Sequence, residues 1–170
     1  MGVDERPMHI VVMGVSGSGK TTVAEGVAAA TGWDFAEGDS FHSQANVAKM
    51  AAGTPLTDDD RWPWLRAIGA WLDEHDARGA VVTCSALKRA YRDLLRDGRP
   101  TVRFCELDAD EDVLAPRLAA RTGHYMPASL LPSQLATLEP LQPDEPGVRI
   151  TVAETPEQVV QNALRGLGLR

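Results

Sequence analysis

An α/β fold, a mostly parallel sheet with helices on both faces, is what the sequence predicts, and three observations predict it. Short apolar runs recur along the 170 residues, helix-compatible stretches fill the gaps between them, and no internal repeat or low-complexity linker divides a chain whose length suits one domain. The first strand is expected over residues 8–13, where Ile10-Val11-Val12-Met13 is continuously apolar. Further strands are expected at 33–36, 80–84, 102–107 and 148–152, each an apolar run of strand length. Helices are expected over 21–30, rich in Ala and Val, then 62–77, 88–96, 111–121 and 157–167, where apolar residues recur near helical spacing. Two polar stretches with Gly and Pro, 40–56 and 122–146, read as lobes folded over a site, and the second reads as a mobile lid. Prolines at 127, 132, 140, 143 and 146 limit any helix there to about 128–138.

Sheets of this kind bind ligands beyond the carboxyl ends of their strands, which singles out residues 14–21, 37–42, 85–88 and Asp108. The first of these segments, Gly14-Val15-Ser16-Gly17-Ser18-Gly19-Lys20-Thr21, fits the pattern Gly-x4-Gly-Lys-[Ser/Thr] between a strand and a helix, and so reads as a nucleotide phosphate loop. Dense phosphate charge is best met by several backbone N–H groups at a helix N-terminus, and glycines let the chain curl closely enough to supply them. Lys20 would reach the β and γ phosphates, and the Thr21 hydroxyl would hold Mg²⁺.

Glu37-Gly38-Asp39-Ser40-Phe41-His42 puts two carboxylates and an imidazole at the ligand edge. Continued strand geometry would point residues 37 and 39 the same way, with Glu37 over the metal's water shell and Asp39 on an acceptor hydroxyl; alternatively Asp39 or Ser40 caps the next helix. Asp58-Asp59-Asp60 reads as an acidic helix start, which leaves Arg61 unexplained. Ser85 and Lys88 either contact an anionic substrate or begin a helix. Arg117 and Arg121, one helical turn apart, either pair as a solvated surface or reach nucleotide and transferring phosphoryl. Only three of the 17 basic residues are lysines, Lys20, Lys49 and Lys88, and each lies in one of these segments; either a compact ammonium is required there or the chain simply favours Arg.

A formal charge of −7 argues against a nucleic-acid surface. Cys84 and Cys105 lie in apolar runs, the N-terminus shows neither a secretory nor a membrane-spanning segment, and Arg6 stands where myristoylation wants Ser or Thr, so a reduced, cytoplasmic protein is expected. A switch-like nucleotide hydrolase is a rival reading. Its Asp-x-x-Gly signature occurs at Asp76 and Asp144, but ahead of strands instead of ending them, and the chain has no Asn-Lys-x-Asp.

Taken together the motifs resemble the gluconokinase family of small P-loop kinases. The resemblance rests on the phosphate loop; Glu37-Gly38-Asp39 with His42; Asn46, Lys49-Met50, Gly53 and Pro55-Leu56; Asp58-Asp59-Asp60-Arg61 with Pro63-Trp64-Leu65; Cys84-Ser85-Ala86-Leu87-Lys88; Tyr91-Arg92-Asp93-Leu94-Leu95-Arg96; Arg121 with Gly123-His124-Tyr125; and Ser133-Gln134 with Thr137-Leu138-Glu139. It implies a three-layer, nucleoside-monophosphate-kinase-like fold with a five-stranded parallel sheet, a substrate lobe near 40–65 and a lid near 117–146. It also implies transfer of the ATP γ-phosphoryl group to the C6 hydroxyl of D-gluconate, with Mg²⁺, in a homodimer. The catalytic candidates under it are Lys20, Asp39 and Arg121. The nucleotide set is Gly14, Val15, Ser16, Gly17, Ser18, Gly19, Lys20, Thr21 and Thr22 with Arg117 and Arg121, Arg117 lying near the adenine. The substrate set is Asp39, His42, Lys49, Arg61, Ser85, Lys88, His124 and Gln134; Thr21 and Glu37 serve the metal. Ser43 departs from the Pro expected after His42. A shikimate or nucleotide kinase of the same fold is the remaining alternative.

Overall fold

Each of the five apolar runs forms a strand. The computed structural model describes residues 7–15, 18–109, 114, 131–152 and 155–169. In it β1 (His9–Met13), β2 (Asp34–Ala36), β3 (Ala80–Thr83), β4 (Val102–Asp108) and β5 (Gly147–Thr151) align in the order β2-β3-β1-β4-β5, all parallel. β1 is central, with Val11 opposite Val82 on one side and Phe104 on the other, and it is buried along its length. Strands covered on both faces have no solvent side, which is why they read as continuous apolar runs.

The strand period of two divides the core. Val11, Met13, Val82 and Phe104 face α3 (Asp58–Glu74) and α4 (Arg89–Arg96), packing on Leu65, Ile68, Tyr91 and Leu95. Ile10, Val12, Val81 and Cys105 face α1 (Lys20–Thr31) and a C-terminal helix at Pro156–Gly166, packing on Val23, Val27, Val159 and Ala163. α1 stops where Gly32 turns left-handed at φ 77° and its N–H returns to the Ala28 carbonyl at 2.8 Å.

Several elements differ from expectation. α2 (Gln44–Ala51) lies within the stretch read as a featureless lobe; Ser43 caps it by accepting from the Asn46 N–H at 3.1 Å. The serine at the Pro position thus starts a helix. α3 begins at Asp58, ahead of the periodic apolar residues, because Thr57 and Asp60 form a reciprocal capping box. The helix expected within 128–138 is α5 (Leu131–Thr137), and the C-terminal helix is α6. The helix expected over 111–121 lies outside the described residues except for Leu114, which is helical and buried.

Candidate active site

β1 delivers the chain into the phosphate loop between β3 and β4, and the loop's first glycine is required twice over. Gly14 has φ 147°, and a Cβ there would lie 2.8 Å from Ser18 Oγ and 3.0 Å from the Leu107 carbonyl. Gly19, at φ 96°, turns the chain into α1, so that Lys20 is the helix's first residue. The Lys20 ammonium donates to the Gly14 and Val15 carbonyls at 2.9 and 3.1 Å, folded back on the loop that it serves. Ser18 Oγ is buried and has no hydrogen-bond partner among the described residues, an acceptor-seeking hydroxyl inside a loop built for phosphate oxygens. Thr22 is exposed on the first turn of α1; Ser16 and Gly17 lie outside the described residues.

Glu37 is pinned from two sides. The Thr21 hydroxyl donates to its Oε1 in a short hydrogen bond and the Thr83 hydroxyl donates to Oε2 at 2.8 Å. A hydroxyl and a carboxylate side by side are hard oxygen donors, the set that suits Mg²⁺ shared with nucleotide phosphates. No cluster of three or more His, Cys, Asp and Glu able to hold a metal occurs among the described residues. The hydroxyl and carboxylate by themselves offer few donors, which fits a metal whose remaining ligands come from phosphates and water.

Asp39 does not lie where a continued strand would place it. Strand β2 ends at Ala36, and Gly38–Phe41 is a single 3-10 turn, so residues 37 and 39 are not related by a strand period. Neither Asp39 nor Ser40 caps α2, since Ser43 does. What fixes the turn is Gly38: its N–H donates to Thr83 Oγ1 at 3.0 Å, and its carbonyl accepts from Trp64 Nε1 at 2.7 Å. A Cβ at Gly38 would stand 1.8 Å from the Thr83 carbonyl, so no other residue fits.

Lys20, Asp39, His42, Arg61, Ser85 and Gln134 line one cleft, with Met50, Leu56, Trp64 and Leu87 as its apolar wall. His42 stacks on Trp64 at 4.1 Å and its Nδ1 faces the Asn46 amide at 3.3 Å. Burial, helped by the nearby Arg61 charge, lowers its pKa to about 4, so the ring is neutral at pH 7. Arg61 also faces an adjoining cleft with Asp58, Lys88, Ser133, Gln134 and Thr137. Lys49 is turned elsewhere: its ammonium pairs with Asp60 at 2.5 Å, which holds that carboxyl down at about 2, and it lines neither cleft. Arg117, Arg121 and His124 lie outside the described residues.

Two groups at the site carry no role in the sequence reading. Tyr91, 1% exposed, donates to Asp58 Oδ1 at 2.5 Å and accepts from Arg61 Nη1 at 2.9 Å. The available signal was spacing, Asp58 three before Arg61 and Tyr91 three after Lys88, one helical turn each. Arg92 is fully buried, pairs twice with Glu145 at 2.6 and 2.9 Å, and donates to the Ala86 carbonyl at 2.9 Å. Ala86 has φ 45°, so this bond braces the strained turn between Ser85 and Lys88. The same guanidinium reaches the Pro140 carbonyl at 3.3 Å, and Arg89 grips Asp144 with two bonds of 2.8 Å, tying the segment after α5 to α4.

Comparison with known proteins agrees with this geometry. A family model described as an AAA domain matches residues 10–141. The chain is 52% identical to the gluconokinase of Gluconobacter oxydans, over 94% of this chain and 91% of that one. Among solved structures it is similar to a sugar kinase from Janibacter, with TM-score 0.90 and 56% identity over 96% of this chain and 95% of that one. It is also similar to a gluconokinase from Sinorhizobium meliloti, with TM-score 0.87 and 51% identity over 97% and 94% of the two chains.

Proposed function

The chain belongs to the gluconokinase family, and on that premise we propose that it transfers the γ-phosphoryl group of ATP to the C6 hydroxyl of D-gluconate, giving 6-phospho-D-gluconate and ADP. The observation that carries this reading is the cleft itself, where the phosphate-loop lysine shares one space with a carboxylate and a guanidinium. Loop N–H groups cradle the nucleotide phosphates, and Lys20 exchanges its two carbonyl partners for the β and γ phosphate oxygens, meeting charge that grows on transfer. Asp39 orients the acceptor hydroxyl and takes its proton as the oxygen attacks. Neutral His42, Ser85 and Gln134 offer hydrogen bonds to the polyol hydroxyls, and Arg61 with Lys88 answers the carboxylate at the far end. Lys49 would act through Asp60, holding the start of α3. Thr21 and Glu37 would hold Mg²⁺, which supplies neutralisation of phosphate charge when bound.

The proposal extends to a lid over residues 117–146, with Arg121 near the transferring group, Arg117 near the adenine and His124 at the substrate. It also covers a homodimer, as the family resemblance implies, working in the cytoplasm, as Cys84 and Cys105 in apolar runs suggest; no described helix is long and apolar enough to cross a membrane. A coupled ADP-release assay over a panel of sugar acids, polyols and nucleoside monophosphates tests the reading. Gluconate is expected to be the preferred acceptor. A nucleoside monophosphate or shikimate used better than any sugar acid would replace it.

A further inference from the structure

Arg61 and Lys88 come from different helical segments, yet both lie over one aromatic ring. The Arg61 Cζ is 5.3 Å and the Lys88 Nζ 5.7 Å from the centroid of Tyr91, within the reach of cation–π attraction. The ring is braced edge-on by Trp62, with centroids 5.6 Å apart and planes at 79°. Its hydroxyl works in one direction only. A guanidinium can donate but not accept, and a carboxylate can accept but not donate, so the order must run from Arg61 to Tyr91 to Asp58. Asp58 also takes the Lys88 ammonium at 3.3 Å and stands 3.9 Å from Arg61. Two cations and one carboxylate leave a single net positive charge at the mouth of a cleft whose other wall carries Ser133, Gln134 and Thr137. That cleft meets the one containing Lys20 and Asp39 at Arg61. One positive charge at one end and a reacting hydroxyl's base at the other describe a linear polyhydroxy monocarboxylate.

We propose that Tyr91 is a specificity-determining positioning residue, whose hydroxyl and ring hold Arg61 and Lys88 together as the paired reader of the acceptor's carboxylate. This rests on the gluconate reading above. Without the hydroxyl, the Arg61 fork loses the bond that aims it, Asp58 loses its tightest donor, and the two cations stand over a ring that no longer links them. The loss falls on acceptor binding and not on transfer, because Tyr91 lines neither cleft and the turn that carries Asp39 is held through Gly38 by Thr83 and Trp64.

Steady-state kinetics of Tyr91→Phe with ATP, D-gluconate and D-glucose make the test. The KM for gluconate is expected to rise at least about fivefold, as for a hydrogen bond to charged groups. The kcat, the KM for ATP and the constants for glucose should stay within about twofold. A smaller rise, an equal change with glucose, or a fall in kcat at constant KM overturns the proposal. Lys88→Met, at a half-exposed position where folding is not at stake, is expected to raise the same KM and leave glucose alone; no effect there also overturns it. In an Arg61→Ala background, Tyr91→Phe should add nothing, and full additivity would break the link. Failure of the parent to use gluconate removes the underlying reading and this inference with it. A parent that uses gluconate, with an unchanged Tyr91→Phe variant, removes this inference alone.

Discussion

Replacing Gly38 by alanine should cost both stability and activity, through one atom. The added Cβ would stand 1.8 Å from the Thr83 carbonyl oxygen and 2.9 Å from its carbon. Reaching ordinary van der Waals separation requires the backbone to give by roughly 1.5 Å. That movement breaks the 3.0 Å bond from Gly38 N to Thr83 Oγ1 and the 2.7 Å bond from Trp64 Nε1 to the Gly38 carbonyl. Overpacking costs about 1–3 kcal/mol and each lost hydrogen bond about 1 kcal/mol, so the expected loss is about 3–5 kcal/mol. Glu37 and Asp39 flank the glycine, and a displacement of about 1 Å in a catalytic group is worth about 10²-fold in rate. Urea unfolding and kcat are to be measured on the same preparations of Gly38→Ala and Gly32→Ala. Gly32 is left-handed, at φ 77°, which Gly38 is not, but nothing lies within 4 Å of its would-be Cβ, so it should lose some stability and keep its kcat. A Gly38→Ala protein as stable and active as the parent would show that the close approach to Thr83 is not what fixes this turn.

Lys20→Ala should stay folded and lose about 10²- to 10³-fold in kcat, as for a lost preorganised donor; near-normal turnover in the folded variant would remove the lysine's role. Asp39→Asn should lose about 10²- to 10⁴-fold in transfer while keeping ATP affinity, measured by equilibrium binding; lost ATP binding with transfer intact would exchange its role with that of Glu37. Glu145→Ala strands the buried Arg92 and should lower the unfolding free energy by about 3–5 kcal/mol in urea, whereas a change under 1 kcal/mol would show the pair to be energetically idle. His42 titrates at about 4 folded against 6.5 unfolded, so the unfolded chain binds the extra proton between those values. Its contribution is complete above pH 6.5 and is lost as pH falls toward 4; His42→Gln should flatten that part of the stability profile, and an unchanged slope would clear His42 of it.

The centre of the sheet was legible because buried parallel strands are largely apolar runs, and all five strands, the less buried edges β2 and β5 included, were placed within one residue at each end. α2 was not, because it buries only Asn46 and Met50, one residue per turn, which is too narrow a stripe to show as periodicity. The phosphate loop was legible because its chemistry is local: eight consecutive residues do one task. The Glu37–Asp39 segment was placed correctly at the sheet edge, but its geometry was not, because the 3-10 turn is set by Thr83 and Trp64, distant in sequence. The Arg92–Glu145 pair is 53 residues apart and each member looks like an ordinary surface charge, so only the fold reveals it. Tyr91 was visible as part of a motif, and its link to Asp58 and Arg61 needed α3 and α4 side by side.

On the proposed function, this cleft selects a sugar acid by charge at its far end and phosphorylates it by way of Lys20 and Asp39. The most direct measurement is kcat/KM for D-gluconate and for D-glucose, each with ATP, in the parent and in Arg61→Ala. Glucose would leave the largely buried Arg61 guanidinium with Tyr91 and Asp58 but without the carboxylate it is proposed to read, a loss of about 2–5 kcal/mol, so the parent should prefer gluconate by at least about 30-fold. Arg61→Ala should lose most of that preference, chiefly by weakening gluconate. Equal use of the two sugars by the parent, or an unchanged ratio in Arg61→Ala, would contradict the account.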